Sequence, residues 1–336
     1  MRCTSILIAL ALAGCGDSPG AVDAGSPSLD AATRDAGASG SDAGEAAVDA
    51  GPGADASLAD AGPDLDDAGG GPTVVPVRPS AGCGATSGPT GALTDQTTSV
   101  DGVDRGYDLF VPEPYDPARP HPVVFTYHGV GGSSNTNQFN FDRFSEAEGG
   151  ATIQVAPQGW TAPEWAETHF VPFNLEASLT VFDQVLAHLA ANYCIDLNRV
   201  FAMGMSNGGQ MAFHLGCLRG DAIRAIVPSG GRCFSYGPGV CDPDHPPSAQ
   251  CVGEVMVLSV MGEDDTTRHA DEEATIEGFR ARQGCSTTVE PRSPAPCQRF
   301  VGCEAGGEVA SCRIPGLGHQ IWRDGRRDLY DYLLSI

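Results

Sequence analysis

Ser206 is the residue in this chain with the clearest chemical opportunity. It stands in Gly204-Met-Ser-Asn-Gly208, behind the apolar run Val200 to Met203 and ahead of Gln210-Met-Ala-Phe-His-Leu215, which has the composition of a helix. Strand, sharp turn and helix in that order put a serine hydroxyl at the apex of a strained elbow, on the carboxyl edge of a sheet. A side chain at either glycine would strike the strand and helix packed around the turn. A serine hydroxyl is a weak nucleophile by itself, so acyl-transfer chemistry here needs a base within hydrogen-bond reach and a third group to orient that base. Glycine makes up 44 of the 336 residues, so the pattern alone could arise by chance and its partners must decide.

Of the eight histidines, His319 is the expected base, because Pro315-Gly-Leu-Gly-His319 puts it on a flexible turn after a short strand near the C-terminus. His214 sits in the helix behind the elbow, a place for packing, and His128 opens a glycine-rich loop. The apolar run Val255 to Met261 leads into Gly262-Glu-Asp-Asp265, which makes Asp265 the expected acid, with Asp264 and Glu263 competing. Serine, acid and histidine then follow in the chain order of an α/β-hydrolase. An oxyanion needs fixed N–H donors. The expected ones are the backbone N–H groups of Asn207, directly after the serine, and of Val130, in His128-Gly-Val-Gly-Gly132 behind the apolar run Val123 to Tyr127. Trp160, Trp165 and Trp322 are candidates to line an aromatic acyl site, with ordinary packing the competing role for each. This chemistry needs no cofactor, and no C-x-x-C or H-x-x-x-H spacing points to a metal.

The elements that must position these groups can be read around them. Residues 101–111 alternate up to Pro112 and predict an early antiparallel strand, whereas Pro122 to Tyr127 and Ala151 to Ala156 are continuous apolar runs of strands buried on both faces. Phe139 to Ala147 has a helical pattern. Leu175 to Tyr193 carries one apolar stripe through Leu179, Phe182, Val185, Leu186, Leu189 and Ala190. Past the elbow the pattern predicts strands at Ala225 to Val227 and Glu254 to Val260, a helix at Asp271 to Arg282, short strands at Arg299 to Val301 and Ala310 to Ile314, and a last helix at Arg326 to Leu334. Such alternation predicts an α/β fold with a mostly parallel central sheet flanked by helices.

The first quarter of the chain has a different composition. Residues 1–14 have a charged start and an apolar core too short to span a bilayer, which is an export signal. Leu12-Ala-Gly-Cys15 resembles the bacterial lipobox, which implies a lipid on Cys15; an ordinary secretory signal cut near Ala13 is the alternative. From 15 to 82 the chain is an acidic linker with Asp-Ala-Gly recurring at Asp23, Asp35, Asp42, Asp49, Asp60 and Asp67, expected to be disordered. Its twelve acids meet only Arg34 and Arg78. Residues 83–336 are the expected catalytic domain. A net charge of −24 and the complete lack of lysine argue against nucleic acid or an anionic membrane as partner, leaving the lipid as the only membrane contact. Ten cysteines remain after Cys3 and Cys15, and in an exported domain they are expected to pair, six of them between Cys241 and Cys312 cross-linking the loops that carry the acid and the base.

The domain resembles the secreted feruloyl esterase and polyhydroxybutyrate depolymerase-like branch of the α/β-hydrolases. The resemblance lies in Cys83, Arg105-Gly-Tyr107 before Val111-Pro112, Tyr115-Asp116, His128-Gly129 with its glycines, Cys194-Ile-Asp196 followed by Arg199-Val200, Gly204-Met-Ser-Asn-Gly-Gly209, and Gly318-His319 with Trp322. It implies a serine carboxylesterase working through an acyl-enzyme, with Ser206, Asp265 and His319 as its triad. The implied substrate is a feruloyl or acetyl ester on plant polysaccharide, with polyhydroxyalkanoate depolymerisation as the alternative and a non-catalytic surface lipoprotein as the alternative of another class. A monomer outside the cytoplasm is expected. Met261-Gly262-Glu-Asp-Asp265 lacks the histidine that the branch usually carries before the glycine, Val130 replaces its cysteine, and His319-Gln-Ile-Trp322 alters the wall beside the base.

Overall fold

The computed structural model describes residues 75–85, 88–135, 151–161, 167–171, 174–233, 251–266, 269–304 and 307–336. Cys15, most of the expected linker, the helical pattern Phe139 to Ala147, Trp165 and Cys241 lie outside them. The linker is expected to run to residue 82, yet the stretch before Cys83 is bonded to the domain: Ser80 N–H donates to Ile195 O at 2.9 Å and Arg78 N–H to the Asp196 carboxylate at 2.9 Å.

Two strands absent from the sequence expectations frame the sheet. β1 (Gly91–Val100) pairs antiparallel with β2 (Val103–Val111) through the turn Asp101-Gly102, where both residues have positive φ, the backbone of a two-residue hairpin. β3 (His121–Tyr127) and β4 (Ile153–Pro157) follow, buried along their whole length. β5 (Trp160–Thr161) and β6 (Thr168–His169) make a separate small hairpin. Next come helix α1 (Leu175–Asn192), β7 (Ile195–Met205), α2 (Asn207–Leu218), β8 (Ala225–Ser229), β9 (Met256–Gly262) and α3 (His269–Arg282). β10 (Val289–Pro291), unforeseen, precedes β11 (Gln298–Phe300), β12 (Glu308–Ile314) and α4 (Arg326–Leu334).

The main sheet has the order β1-β2-β4-β3-β7-β8-β9-β12-β11-β10. From β4 to β12 every neighbouring pair is parallel, and the two ends are antiparallel. Side chains that alternate along the parallel strands divide the core in two, as the pleat requires. Val123, Phe125, Val200 and Ala202 meet Phe182, Met211 and Phe279 of α1, α2 and α3, while Val124, Phe201, Met203 and Leu258 meet Leu329, Tyr330 and Leu333 of α4. Each fully buried large side chain contributes about 1.5–3 kcal/mol relative to exposure. This burial holds the carboxyl ends of β3, β7, β9 and β12 in fixed register, and the site stands on those ends.

Four disulfides are formed among the described residues: Cys83–Cys194, Cys217–Cys251, Cys285–Cys303 and Cys297–Cys312. Cys233 is disulfide-bonded as well. The late cysteines are expected to cross-link the acid and base loops; among the described residues Cys285–Cys303 fastens the end of α3 to the chain after β11, Cys297–Cys312 ties the chain ahead of β11 to β12, the strand that leads to His319, and Cys251 is joined to Cys217 of α2 ahead of β9.

Candidate active site

Ser206 occupies the turn between β7 and α2 with φ 57° and ψ −115°, a conformation that costs a non-glycine residue about 1–3 kcal/mol and survives only because its surroundings impose it. Those surroundings are tight. A Cβ on Gly204 would stand 2.4 Å from the Gly208 carbonyl, and one on Gly208 would stand 2.1 Å from the Tyr127 carbonyl oxygen. Ser206 N–H donates to Ser229 O at 2.8 Å, which ties the turn to the end of β8.

The His319 ring is 3.0 Å from the Ser206 hydroxyl through Nε2 and 2.6 Å from the Asp265 carboxylate through Nδ1. A carboxylate can only accept, so Nδ1 carries the proton and donates to Asp265, leaving the Nε2 lone pair for the serine hydroxyl. Asp265 is almost wholly buried whereas His319 is about one-third exposed, open toward a reactant. The two loops are braced against each other: Glu263 N–H donates to Ile314 O at 3.0 Å and Asp264 N–H to Leu317 O at 2.9 Å. Asp264 and Glu263 are themselves exposed, and it is Asp265 that meets the ring. His214 is buried in α2 with neither ring nitrogen hydrogen-bonded, and burial lowers its pKa to about 4.

The glycine-rich loop after β3 lies against the serine, since a Cβ on Gly129 would be 3.5 Å from Ser206 Cβ. His128 sets its shape. Gly159 N–H donates to His128 Nε2 at 3.0 Å, so Nδ1 must carry the hydrogen, and it donates to Gly129 O at 2.7 Å. Burial holds the His128 pKa below its ordinary value, against the opposing pull of the Gly129 bond. Gly132 N–H donates to the same Gly129 oxygen at 3.1 Å. In a trans peptide the following N–H, that of Val130, points to the opposite side.

Two arrangements were not foreseen from the sequence. The Asn207 side chain accepts from Phe170 N–H at 2.8 Å and donates to Val171 O at 2.7 Å and Gln210 Oε1 at 3.0 Å, which locks residues 170–171 to the start of α2. Behind Asp265, Glu272 of α3 is buried against the Ser259 hydroxyl, with its other oxygen 3.7 Å from the Arg313 guanidinium. Desolvation raises its pKa to about 7, over the opposing Ser259 bond and Arg313 charge, with Asp265 and Glu273 adding to the rise. Glu272 shares its helix face with Thr275, Ile276 and Phe279, all buried, so the apolar stripe itself marked it.

Of the three tryptophans, Trp160 is 39% exposed on β5 with the Arg105 guanidinium 4.3 Å over its ring. Trp322 packs, half-buried, against the core on the α4 side. No group of His, Cys, Asp and Glu among the described residues is arranged to hold a metal ion.

No protein-family model matches the chain. It is 27% identical over 259 residues to feruloyl esterase D of Neurospora crassa, covering 71% of this chain and 81% of that protein. It is 31% identical over 216 residues to feruloyl esterase C of Emericella nidulans, covering 62% of this chain and 71% of that protein. Among solved structures, the acetyl xylan esterase from Aspergillus awamori matches with a TM-score of 0.54 at 15% identity, over 70% of this chain and 98% of that one, a likeness of fold.

Proposed function

The chain belongs to the feruloyl esterase family and is a carboxylic ester hydrolase, and from that premise we propose that it cleaves feruloyl or acetyl esters of plant polysaccharide through an acyl-enzyme on Ser206. What carries the reading is the relay from Ser206 Oγ to His319 Nε2, 3.0 Å, and from His319 Nδ1 to Asp265, 2.6 Å. His319 takes the hydroxyl proton as Ser206 Oγ attacks the ester carbonyl carbon. The carbonyl oxygen becomes an oxyanion, held by the N–H groups of Asn207 and Val130, each such donor contributing on the order of 3 kcal/mol. Buried Asp265 stabilises the imidazolium, which then protonates the departing alkoxide as the C–O bond breaks. Water repeats the sequence on the acyl-enzyme: His319 removes its proton, the carbonyl–Ser206 bond breaks, and the carboxylic acid leaves with Ser206 reprotonated.

The disulfides fit an oxidising compartment outside the cytoplasm. A lipid on Cys15 would tether the domain to an envelope through a linker reaching on the order of 45 Å as a flexible coil; radiolabelled palmitate incorporation that survives Cys15→Ser would refute the anchor.

Labelling with a fluorophosphonate followed by peptide mapping tests the mechanism, with modification of Ser206 expected and label at any other residue, or none on folded protein, refuting it. Ser206→Ala and His319→Ala should lose at least 10³-fold in kcat. Turnover of methyl ferulate and acetylated xylan is expected; cleavage only of a short-chain polyhydroxyalkanoate film would replace the substrate while leaving the mechanism.

A further inference from the structure

β9 and β12 lie side by side and parallel, and each delivers one member of the Ser206 relay: β9 runs into Asp265 and β12 into His319. Glu272, in the first turn of α3, reaches both strands. Its Oε1 accepts from the Ser259 hydroxyl of β9, and its Oε2 stands 3.7 Å from the Arg313 guanidinium of β12. The Arg313 nitrogen that faces it is also 2.9 Å from Met261 Sδ, while Nη2 donates to Glu273 at 3.2 Å. Glu272 is therefore a carboxyl group 1% exposed, with one oxygen lacking any hydrogen bond, set between the two strands that carry the acid and the base. Native interiors rarely leave a buried polar atom in that state, and an apolar side chain would serve packing better.

The charges around it are few. Arg313 of β12 favours a negative Glu272, whereas Asp265, after β9, and Glu273, on α3 itself, oppose one. Arg232, after β8, pairs with Asp271. α2, which packs on α3 through Phe213 and Phe279, holds no Asp, Glu, Lys or Arg, and burial keeps its His214 neutral above about pH 4. Among these groups Asp265 is the one that belongs to the relay, as the partner of His319 Nδ1.

We propose that Glu272 is a positioning residue for the relay: acting through Asp265, its carboxylate favours the His319 imidazolium that forms as Ser206 attacks. This assistance presupposes that Ser206 is the nucleophile. The relay runs Asp265, His319, Ser206, so a negative charge beside Asp265 meets the imidazolium before it meets the oxyanion, and it favours the charge-separated transition state. Burial delays that charge. With the Glu272 pKa raised to about 7, the carboxylate is scarce at pH 6 and nearly complete at pH 8.5.

The rate at which a fluorophosphonate modifies Ser206 tests this without reference to the ester, because the reaction passes the serine proton to His319. The ratio of the wild-type rate to that of Glu272→Gln should rise about three- to tenfold between pH 6 and pH 8.5. With methyl ferulate the same rise is expected in kcat, with KM unchanged. A merely structural role would not produce it, because loss of a buried charge makes the glutamine variant the more stable of the two at high pH. Ser259→Ala keeps the carboxyl and removes a hydrogen bond that favours its charge, so its rate relative to Glu272→Gln should rise at a higher pH than that of wild type. A ratio flat with pH, or a rise that Ser259→Ala leaves in place, would overturn the role of Glu272 while the esterase reading stands; no modification of Ser206 in folded wild type would overturn both.

Discussion

Replacing Glu272 with glutamine should make the protein progressively more stable than wild type as pH rises. The carboxyl is 1% exposed and its pKa is raised from 4.5 to about 7, chiefly because burial disfavours its charge. The folded chain therefore holds this proton more tightly than the unfolded chain does. Between pH 4.5 and 7 the native state binds more protons, so stability falls across that window as pH rises, and the full penalty is present above pH 7. At 1.36 kcal/mol per pKa unit the complete effect is about 3 kcal/mol, most of which develops between pH 5 and pH 8. Glutamine keeps an acceptor for the Ser259 hydroxyl and cannot ionise. Any difference in packing or hydrogen bonding between the two side chains is the same at both pH values and cancels. Urea unfolding of wild type and Glu272→Gln at pH 5 and pH 8 reads the quantity directly, as the widening of their stability gap. A gap constant to within about 0.5 kcal/mol would refute the reasoning; a gap of opposite sign would mean that the Arg313 ion pair, 3.7 Å away, outweighs burial.

Other substitutions test the frame around the serine. Gly208→Ala puts a Cβ 2.1 Å from Tyr127 O, a backbone clash with no flexible atom to yield, so it should abolish soluble expression or cost more than about 3 kcal/mol in urea unfolding. His128→Ala frees Gly129 O from its 2.7 Å bond, and with Val130 N–H as an oxyanion donor kcat should fall by about tenfold to a hundredfold with a smaller change in KM, measured on methyl ferulate. Asn207→Ala unties residues 170–171 and leaves buried backbone groups unpaired, expected at about 1–3 kcal/mol in thermal or urea unfolding. Cys83→Ser with Cys194→Ser opens a closure of sequence separation 111, for which chain entropy gives about 5 kcal/mol, read as a shifted unfolding midpoint relative to wild type.

The sequence by itself determined the elements whose chemistry is local. The alternation of buried strands and helices follows from hydrophobic period. The elbow follows from two glycines whose missing side chains are filled by backbone, and the α4 boundaries, Arg326 and Leu334, were legible because that helix is amphipathic and stands alone at the end of the chain. β1 and β10 escaped because edge strands have one partner and two partly wet faces, so their residues carry little apolar pattern; the Asp101-Gly102 turn was the available signal for β1.

Tertiary structure alone decided what depends on distant segments meeting. Sequence left Asp264, Asp265 and Glu263 in competition, and only the bracing of the β9 and β12 loops turns Asp265 inward to meet His319 at 2.6 Å. His128 was legible only as the opening of the glycine-rich loop and Asn207 only as a backbone N–H donor; the partners of their side chains, Gly159 and Phe170, are brought to them by the fold. The cysteines were countable in sequence but their bridges were not, since pairing depends on which edges lie within a few ångströms. Spacing can announce the elbow and the serine at its apex because the turn is built from its own neighbours. The groups that orient and surround it come from strands and loops up to 113 residues away, and the burial of the sheet brings them together.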